Sequence, residues 1–441
     1  GAYDRAVGGM QFVENIPWVA DLGVSYALGV DGISLPLLLL TNLIGFSAVY
    51  ASWKIKDRAR EFFALLLILI TGVMGTFVTT DLFIFFMFYE VVVIPIYLLV
   101  IMFGSSKRVT KEYAGMKLTI YLLIGSGFLL VSLIALFVVA KNILGMPTMD
   151  IATLATINYP IGFQIFAYAL MAFGFGTLLS MFPFHAWSPD GYAGAPTAVS
   201  MIHAGVLKKI GGYALIRVGL FILPAGAKYI APVIAVLAIG NVVYAAFICL
   251  SQRDLKYIVG YSSVSHMGYV LIGIAAMNLI SINGAVMMMF AHGVMAALFF
   301  SMIGNLYEKS HTRSVDDFGG IAHQMPRLAT GFMLAGLASL GLPGTVNFIG
   351  EFTIFVGAFS TYRVLAILAI TGIILTAVYI LRTLGDVLFG SRKEEWDHLE
   401  DLKGPEMVPL LVLGTAILVG GILPFTVMDL INSGVGGLLA Q

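Results

Sequence analysis

Thiols are almost absent from this chain. Cys249 is the single cysteine among 441 residues. That excludes an internal disulfide, an iron–sulfur cluster and a cysteine zinc site within the chain. Charge is scarce as well. Only 11% of residues are Asp, Glu, Lys or Arg, against about 25% in an ordinary soluble domain. The two signs balance at 24 each, so no basic surface for nucleic acid is indicated. No Gly-rich fingerprint follows an expected strand, so neither a nicotinamide nor a flavin is held by that route. The start carries no secretory leader pattern and opens on Gly1, and it reads as a piece whose beginning is missing.

Apolar residues fill the space that charge leaves. They make up 59% of the chain, and the mean hydropathy is +0.97. The fold class is therefore an all-α polytopic membrane protein. Residues 1–32 are polar and mixed, an extramembrane lead-in. Apolar runs follow at 33–52, 60–79, 82–103, 113–140, 161–186, 195–222, 229–250, 256–277, 281–307, 329–360, 364–389 and 406–430, twelve candidate spans in all. Two are interrupted. FPFHAWSPDGYAGAP lies at the end of the fifth, and GLPG at 341–344 lies inside the tenth. Proline removes a backbone donor and clashes with the preceding turn, so both places are expected to be broken helix. Broken helix at membrane depth is tolerated only around a cavity or a protein interior.

Charge sets the orientation. Alternating twelve spans puts Lys54, Lys56, Arg58, Arg60, Lys107, Arg108, Lys111, Lys117, Arg253, Lys256, Lys309, Arg313, Arg327, Arg382, Arg392, Lys393 and Lys403 on one side. The other side receives Arg5, Lys141, Arg217, Lys228 and Arg363. Seventeen against five assigns the first side to the cytoplasm. Lys208 and Lys209 belong to neither group, because both fall near the middle of the sixth span.

Few titratable residues remain at depth. Glu90 is the ninth residue of an otherwise uninterrupted apolar run from Leu82 to Phe103, which as a helix is about 33 Å long. A charge at that depth costs roughly 2.5–3.5 kcal/mol on insertion scales and marks a functional site with a partner. Lys208 and Lys209 lie about thirteen residues from either span end, too far to snorkel to water. They project about 100° apart on a helix, so they face different partners. Glu351 follows the second break, and its structural role would be to sit at a half-helix N-terminus. His203, His266 and His292 lie in the sixth, eighth and ninth spans, and His185 at the first break. A lone histidine among apolar residues is commonly a hydrogen-bonded core residue. Asp31, Asp81, Asp386 and Asp429 fall at or near span ends and are expected to be interfacial.

Glu, Lys and His at mid-membrane are the components of a proton relay. Histidine titrates near neutral pH, and a low dielectric disfavours the charged forms of carboxyl and amine, which brings both toward neutrality. Such a relay needs no metal and no cofactor. No close ligand pair of His and Glu at helical spacing supports a metal site. Glu90 requires a partner, and the lysines of the sixth span are the candidates. The Lys208 ammonium is expected within water-mediated reach of its carboxylate.

DLFIFFMFYEVVVIPIYLL, FPFHAWSPD with GAPTAVSMIHAGVLKKIGGYALIR, RDLKYIVGYSSVSHMGY, AHGVMAALFF and GLPGTVNFIGEF together resemble the antiporter-like membrane subunits of respiratory complex I. The likeness runs over essentially the whole chain, with the motifs in order. Within that family the chain resembles the subunit M branch, because Glu351 stands where the L and N branches carry a lysine.

The resemblance implies a fourteen-helix fold, its first two helices absent here, built on two inverted five-helix repeats with one broken helix each. The expected divisions are 1–59, a lead-in and first span; 60–222, the first repeat; 229–389, the inverted second repeat; and 390–441, a cytoplasmic loop and last span. It further implies roles. Glu90 matches the carboxylate that modulates a neighbouring lysine. Lys209 aligns with the family lysine of the next helix. His266 and His292 match the bridging histidines, and Glu351 the terminal residue facing the exit. One position departs: Leu178 stands where the family places the lysine of the first broken helix.

The implied function is a proton-translocating subunit of a redox-driven pump, relaying protons through Glu90, Lys208, Lys209, His266, His292 and Glu351, with His185 and His203 secondary. The implied setting is a multisubunit NADH, ferredoxin or deazaflavin:quinone oxidoreductase in the cell membrane. No cofactor is expected in this chain. Flavin and iron–sulfur clusters would sit in partner subunits, beside homologous antiporter-like subunits, other membrane subunits, a peripheral redox arm and lipids. The alternatives are a cation/proton antiporter, a membrane-bound hydrogenase subunit, or a scaffold that does not pump. Leu178 favours the last.

Overall fold

A computed structural model describes residues 3–439. The order of helices is α1 Ser34–Ala51, α2 Ala59–Val78, α3 Leu82–Phe103, α4 Lys111–Leu144, α5 Ile161–Leu178, α6 Trp187–Gly194, α7 residues 197–222, α8 Pro224–Ser251, α9 Leu255–Ala275, α10 Leu279–Ser310, α11 Pro326–Ser339, α12 Val346–Thr361, α13 Arg363–Phe389, α14 Gly404–Ile422 and α15 Phe425–Leu439. Ten of the described helices are long and apolar enough to cross a bilayer. The other two expected spans cross in pieces. α7 contains two wide π turns, His203–Leu207 and Leu215–Leu220, and the tenth span divides into α11 and α12.

Local chemistry starts these helices where they start. Asp81 caps α3 by accepting from the amides of Phe83 and Ile84. Asp254 caps α9 in the same way, and Asn278 forms a capping box with Ser281 at α10. Asp81 and Asp31 do lie at span ends, but both are buried rather than interfacial. Asp81 also accepts from the Ser25 amide.

Burial sorts the helices. Every residue of α9 except Tyr261 is buried, as is every residue from Ser281 to Leu306 on α10. The peripheral helices instead present Leu, Ile, Val and Phe outward, for example Ile94, Ile134, Val364 and Ile374. α9 is also the least apolar of the ten long helices, because a helix enclosed by protein can hold hydroxyls and imidazoles that lipid would expel. His266 and His292 belong to this enclosed pair.

Two segments differ from the sequence expectation. The lead-in is not merely polar coil. Gln11–Val19 and Val24–Val30 pair antiparallel around Gly23, with Asn15 opposite Ala27. No clean alternation announces these strands, and most of the first is solvent-exposed on both faces. The last span is also shorter than 406–430. α14 stops at Ile422, Pro424 interrupts it, and α15 follows as a separate helix. There Asn432 accepts from Asn283 at 3.0 Å, and Gly32 packs so close to Leu430 that a Cβ would lie 1.9 Å from its carbonyl oxygen.

Candidate functional site

Both proline-marked breaks are real, and each leaves backbone groups that other elements satisfy. At the first, the Asn241 side chain on α8 accepts from the Phe182 amide at 2.6 Å and donates to the carbonyls of Ser180 at 2.8 Å and Val264 at 3.1 Å. At the second, Pro343 has no N–H to return to the Ser339 carbonyl four residues earlier. That carbonyl is met instead by His266 Nε2, 3.1 Å away. The proline break thus presents an acceptor to a relay histidine.

His266 has a carbonyl oxygen at each ring nitrogen, since Nδ1 also lies 2.7 Å from the Ser262 carbonyl. A ring so placed can donate from both nitrogens, as an imidazolium does. Its Nε2 is 3.8 Å from Glu351 Oε1. The Glu351 carboxylate lies in the second turn of α12, not the first, so it is not an N-terminal dipole partner. It rests against the unwound segment, where a Cβ on Gly341 would stand 2.2 Å from Oε2. Toward the other side, the rings of His266 and His292 have centroids 5.4 Å apart.

His292 Nδ1 meets the Lys209 ammonium at 2.8 Å. This contact exists because α7 and α10 approach at glycine: a Cβ on Gly293 would come within 2.5 Å of the Gly205 carbonyl oxygen. Lys209 also donates to the Ala204 carbonyl. Donation from the ammonium makes Nδ1 the acceptor and leaves the proton on Nε2, which has no hydrogen-bond partner. Lys209, His292, His266 and Glu351 therefore form one buried line across the centre of the molecule.

Lys208 is equally buried but projects elsewhere, as the angular offset requires. Its ammonium donates to Ser188 Oγ and Ser263 Oγ, both at 3.3 Å, and lies 5.5 Å from the centre of the Tyr192 ring. Wide π turns flank the lysine pair on either side, a distortion that recurs at functional sites.

The remaining candidates stand apart from the line. One carboxylate oxygen of Glu90 is buried with no hydrogen-bond partner. The Ser126 side chain on α4 is beside that carboxylate, and neither a hydrogen bond nor an ion pair joins it to Lys208 or Lys209. Leu178 closes α5 fully buried. His203 lies within hydrogen-bonding reach of no partner at either nitrogen. It stacks on Trp187 with centroids 5.2 Å apart, which is not the hydrogen-bonded core histidine expected of it. His185 packs between the rings of Phe182 and Tyr244.

Sequence reasoning missed several participants. Ser188, Ser262, Ser263 and Ser339 hold the lysine and histidine heads, and the signal available was a run of hydroxyls in a span, YSSVSH. Tyr379 donates to Ser262 Oγ at 2.9 Å. Lys256 was counted as a loop cation, yet it is buried. Asp31 and Arg217 form a buried ion pair. Among the described residues, no group of three His, Cys, Asp or Glu is placed to hold a metal ion.

Residues 79–376 match the family model described as NADH:quinone oxidoreductase/Mrp antiporter, TM. NAD(P)H-quinone oxidoreductase chain 4 1 of Synechococcus sp. (strain JA-3-3Ab) is 40% identical over 432 residues, 96% of this chain and 81% of that one. A chain of respiratory complex I from Thermus thermophilus superposes with a TM-score of 0.90 at 26% identity, covering 98% of this chain and 90% of that one. A chain of the Mrp complex from Dietzia sp. DQ12-45-1b shares the fold, with a TM-score of 0.86 at 21% identity over 98% of this chain and 88% of that one.

Proposed function

Because the chain belongs to the NADH:quinone oxidoreductase/Mrp antiporter membrane family, we propose that it is the proton-translocating, antiporter-like subunit of a complex I-type redox-driven pump. One observation carries this reading: the buried line from Lys209 through His292 and His266 to Glu351, with steps of 2.8 Å between ammonium and imidazole, 5.4 Å between ring centroids and 3.8 Å between imidazole and carboxylate. Each member can take up and release a proton, and each step sets a group that can donate beside one that can accept. Moving that proton along the line costs less than burying a new charge at each step, because the displaced charge always has a partner.

In this reading Lys208 loads the line and Glu351 discharges it. Glu90 acts only by its field, because no hydrogen bond or ion pair joins it to Lys208 or Lys209 and one of its carboxylate oxygens is buried without a partner. His185 and His203 pack the first break. The two repeats are residues 60–222 and 229–389, each with its broken helix. The basic loops face the cytoplasm and the chain resides in the cell membrane. Electron transfer belongs to partner subunits carrying flavin and iron–sulfur clusters, and homologous membrane subunits flank this one.

The test is Glu351→Gln in the assembled complex, with redox-coupled proton uptake measured in sealed vesicles. The expected result is a lower proton-to-electron ratio at normal assembly. An unchanged ratio would sink the proposal.

A further inference from the structure

Lys256 is the second residue of α9, at the basic-loop end, and it is 3% exposed. A lysine so near a helix end ordinarily snorkels to water. This one turns inward. Its ammonium donates to the Ala195 carbonyl at 2.6 Å, to Ser200 Oγ at 3.3 Å and to the Tyr192 carbonyl at 3.4 Å. It forms no ion pair with a carboxylate. The charged groups beside it are Arg313 and Asp254, and those two pair with each other at 2.9 Å.

The carbonyls it meets close α6, the second half of the first broken helix. The Ala193 carbonyl accepts from Arg313 at 2.7 Å, and the Gly194 carbonyl from the Ser105 amide at 2.9 Å. A permanent cation already serves this helix end, in Arg313. A second, titratable cation is more than capping requires. Its surroundings give it another use. On the loop side, Asp254 and Arg313 line a cavity of about 570 Å³, together with Lys107, Arg108 and Arg253. On the inner side, Tyr192 spans the interval to the relay. The Tyr192 carbonyl is at Lys256, while its ring lies beneath the Lys208 ammonium. Ser263, which accepts from Lys208, is seven residues after Lys256 on the same helix, about 10.5 Å along its axis.

We propose that Lys256 is the intake residue of the relay, taking protons from the cavity walled by Asp254 and Arg313 and passing them inward past Ser200 and Tyr192 to Lys208. The step conserves charge. An N–H bond of the Lys256 ammonium breaks and the Ser200 oxygen gains that proton, while its own, donated at rest to the Tyr192 carbonyl at 2.9 Å, turns inward onto water and passes along it to Lys208. The neutral amine keeps two donors for the Ala195 and Tyr192 carbonyls, and its lone pair accepts the Ser200 hydroxyl. A proton from the cavity then restores the ammonium. Arg313 holds the end of α6 throughout.

The inference rests on the pumping role proposed above, and the experiment separates the two. Lys256→Arg keeps a cation on the same carbonyls but does not release its proton. In the assembled complex in sealed vesicles, Lys256→Arg is expected to lose the same share of redox-coupled proton uptake as Glu351→Gln. The double variant is expected to lose no more than either. Normal uptake in Lys256→Arg alongside a deficit in Glu351→Gln would overturn the intake role and leave the pumping role standing. Normal uptake in both would overturn both. Should Lys256→Arg fail to assemble, Ser200→Ala removes the first hydroxyl of the same route and leaves the Ala195 and Arg313 contacts at the end of α6 in place. Uptake equal to wild type in that variant would also overturn the proposal.

Discussion

Gly341 and Gly344 flank Pro343 in the second break, both at positive φ, +65° and +95°. They make a matched pair. An alanine at either costs roughly 1–3 kcal/mol in backbone strain, because L side chains avoid that region. They differ in what the new methyl would meet. At Gly344 nothing lies within 4 Å. At Gly341 the methyl carbon would stand 2.2 Å from Glu351 Oε2, so the carboxylate must retreat by about 1.2 Å to reach ordinary contact at 3.4 Å. The present gap from Glu351 to His266 is 3.8 Å. A shift of that size either closes it to hydrogen-bond length or opens it to about 5 Å, beyond direct transfer. Either outcome changes the discharge step without removing a titratable group. Gly341→Ala is therefore expected to lower the proton-to-electron ratio of the assembled complex several-fold more than Gly344→Ala. Assembly, read by native electrophoresis, should fall alike in the two. Equal ratios in the two variants would refute the argument that the unwound segment positions Glu351.

Two further outcomes concern stability. Asn241→Leu removes three hydrogen bonds from the first break, to Phe182, Ser180 and Val264, and leaves buried backbone groups unpaired at about 1–3 kcal/mol each; thermal unfolding in detergent should show a fall of several degrees, and an unchanged midpoint would remove Asn241 from the support of the break. Asp31→Leu strands the Arg217 guanidinium, only 7% exposed, at an expected cost of about 3–5 kcal/mol; adding Arg217→Leu should recover most of it, and a double variant no better than Asp31→Leu would contradict the pairing.

Much of this protein was legible in the sequence, and for one physical reason. Lipid imposes a length and a composition on each span, so twelve apolar runs convert into twelve crossings with little ambiguity. Proline and glycine mark both breaks by their backbone chemistry alone. The cost of a charge at depth singles out Glu90, Lys208, Lys209 and Glu351 without coordinates. The hairpin at Gln11–Val19 and Val24–Val30 was not legible, because its exposed strands lack alternation. The turn at Pro424 was missed because the apolar pattern runs on past it.

Who meets whom was decided only in three dimensions. The sequence names Glu90 as a charge needing a partner and offers Lys208; in the fold the Lys208 ammonium donates to Ser188 and Ser263, and no hydrogen bond or ion pair joins it to Glu90. Lys209 reaches His292 because glycines let α7 and α10 come close. Lys256 sits where a snorkelling loop cation would, and tertiary packing turns it inward onto the end of a broken helix. Composition sets which groups are too costly to bury alone. Helix rotation and glycine contacts, which depend on residues far apart in the chain, choose the partners that make the burial tolerable.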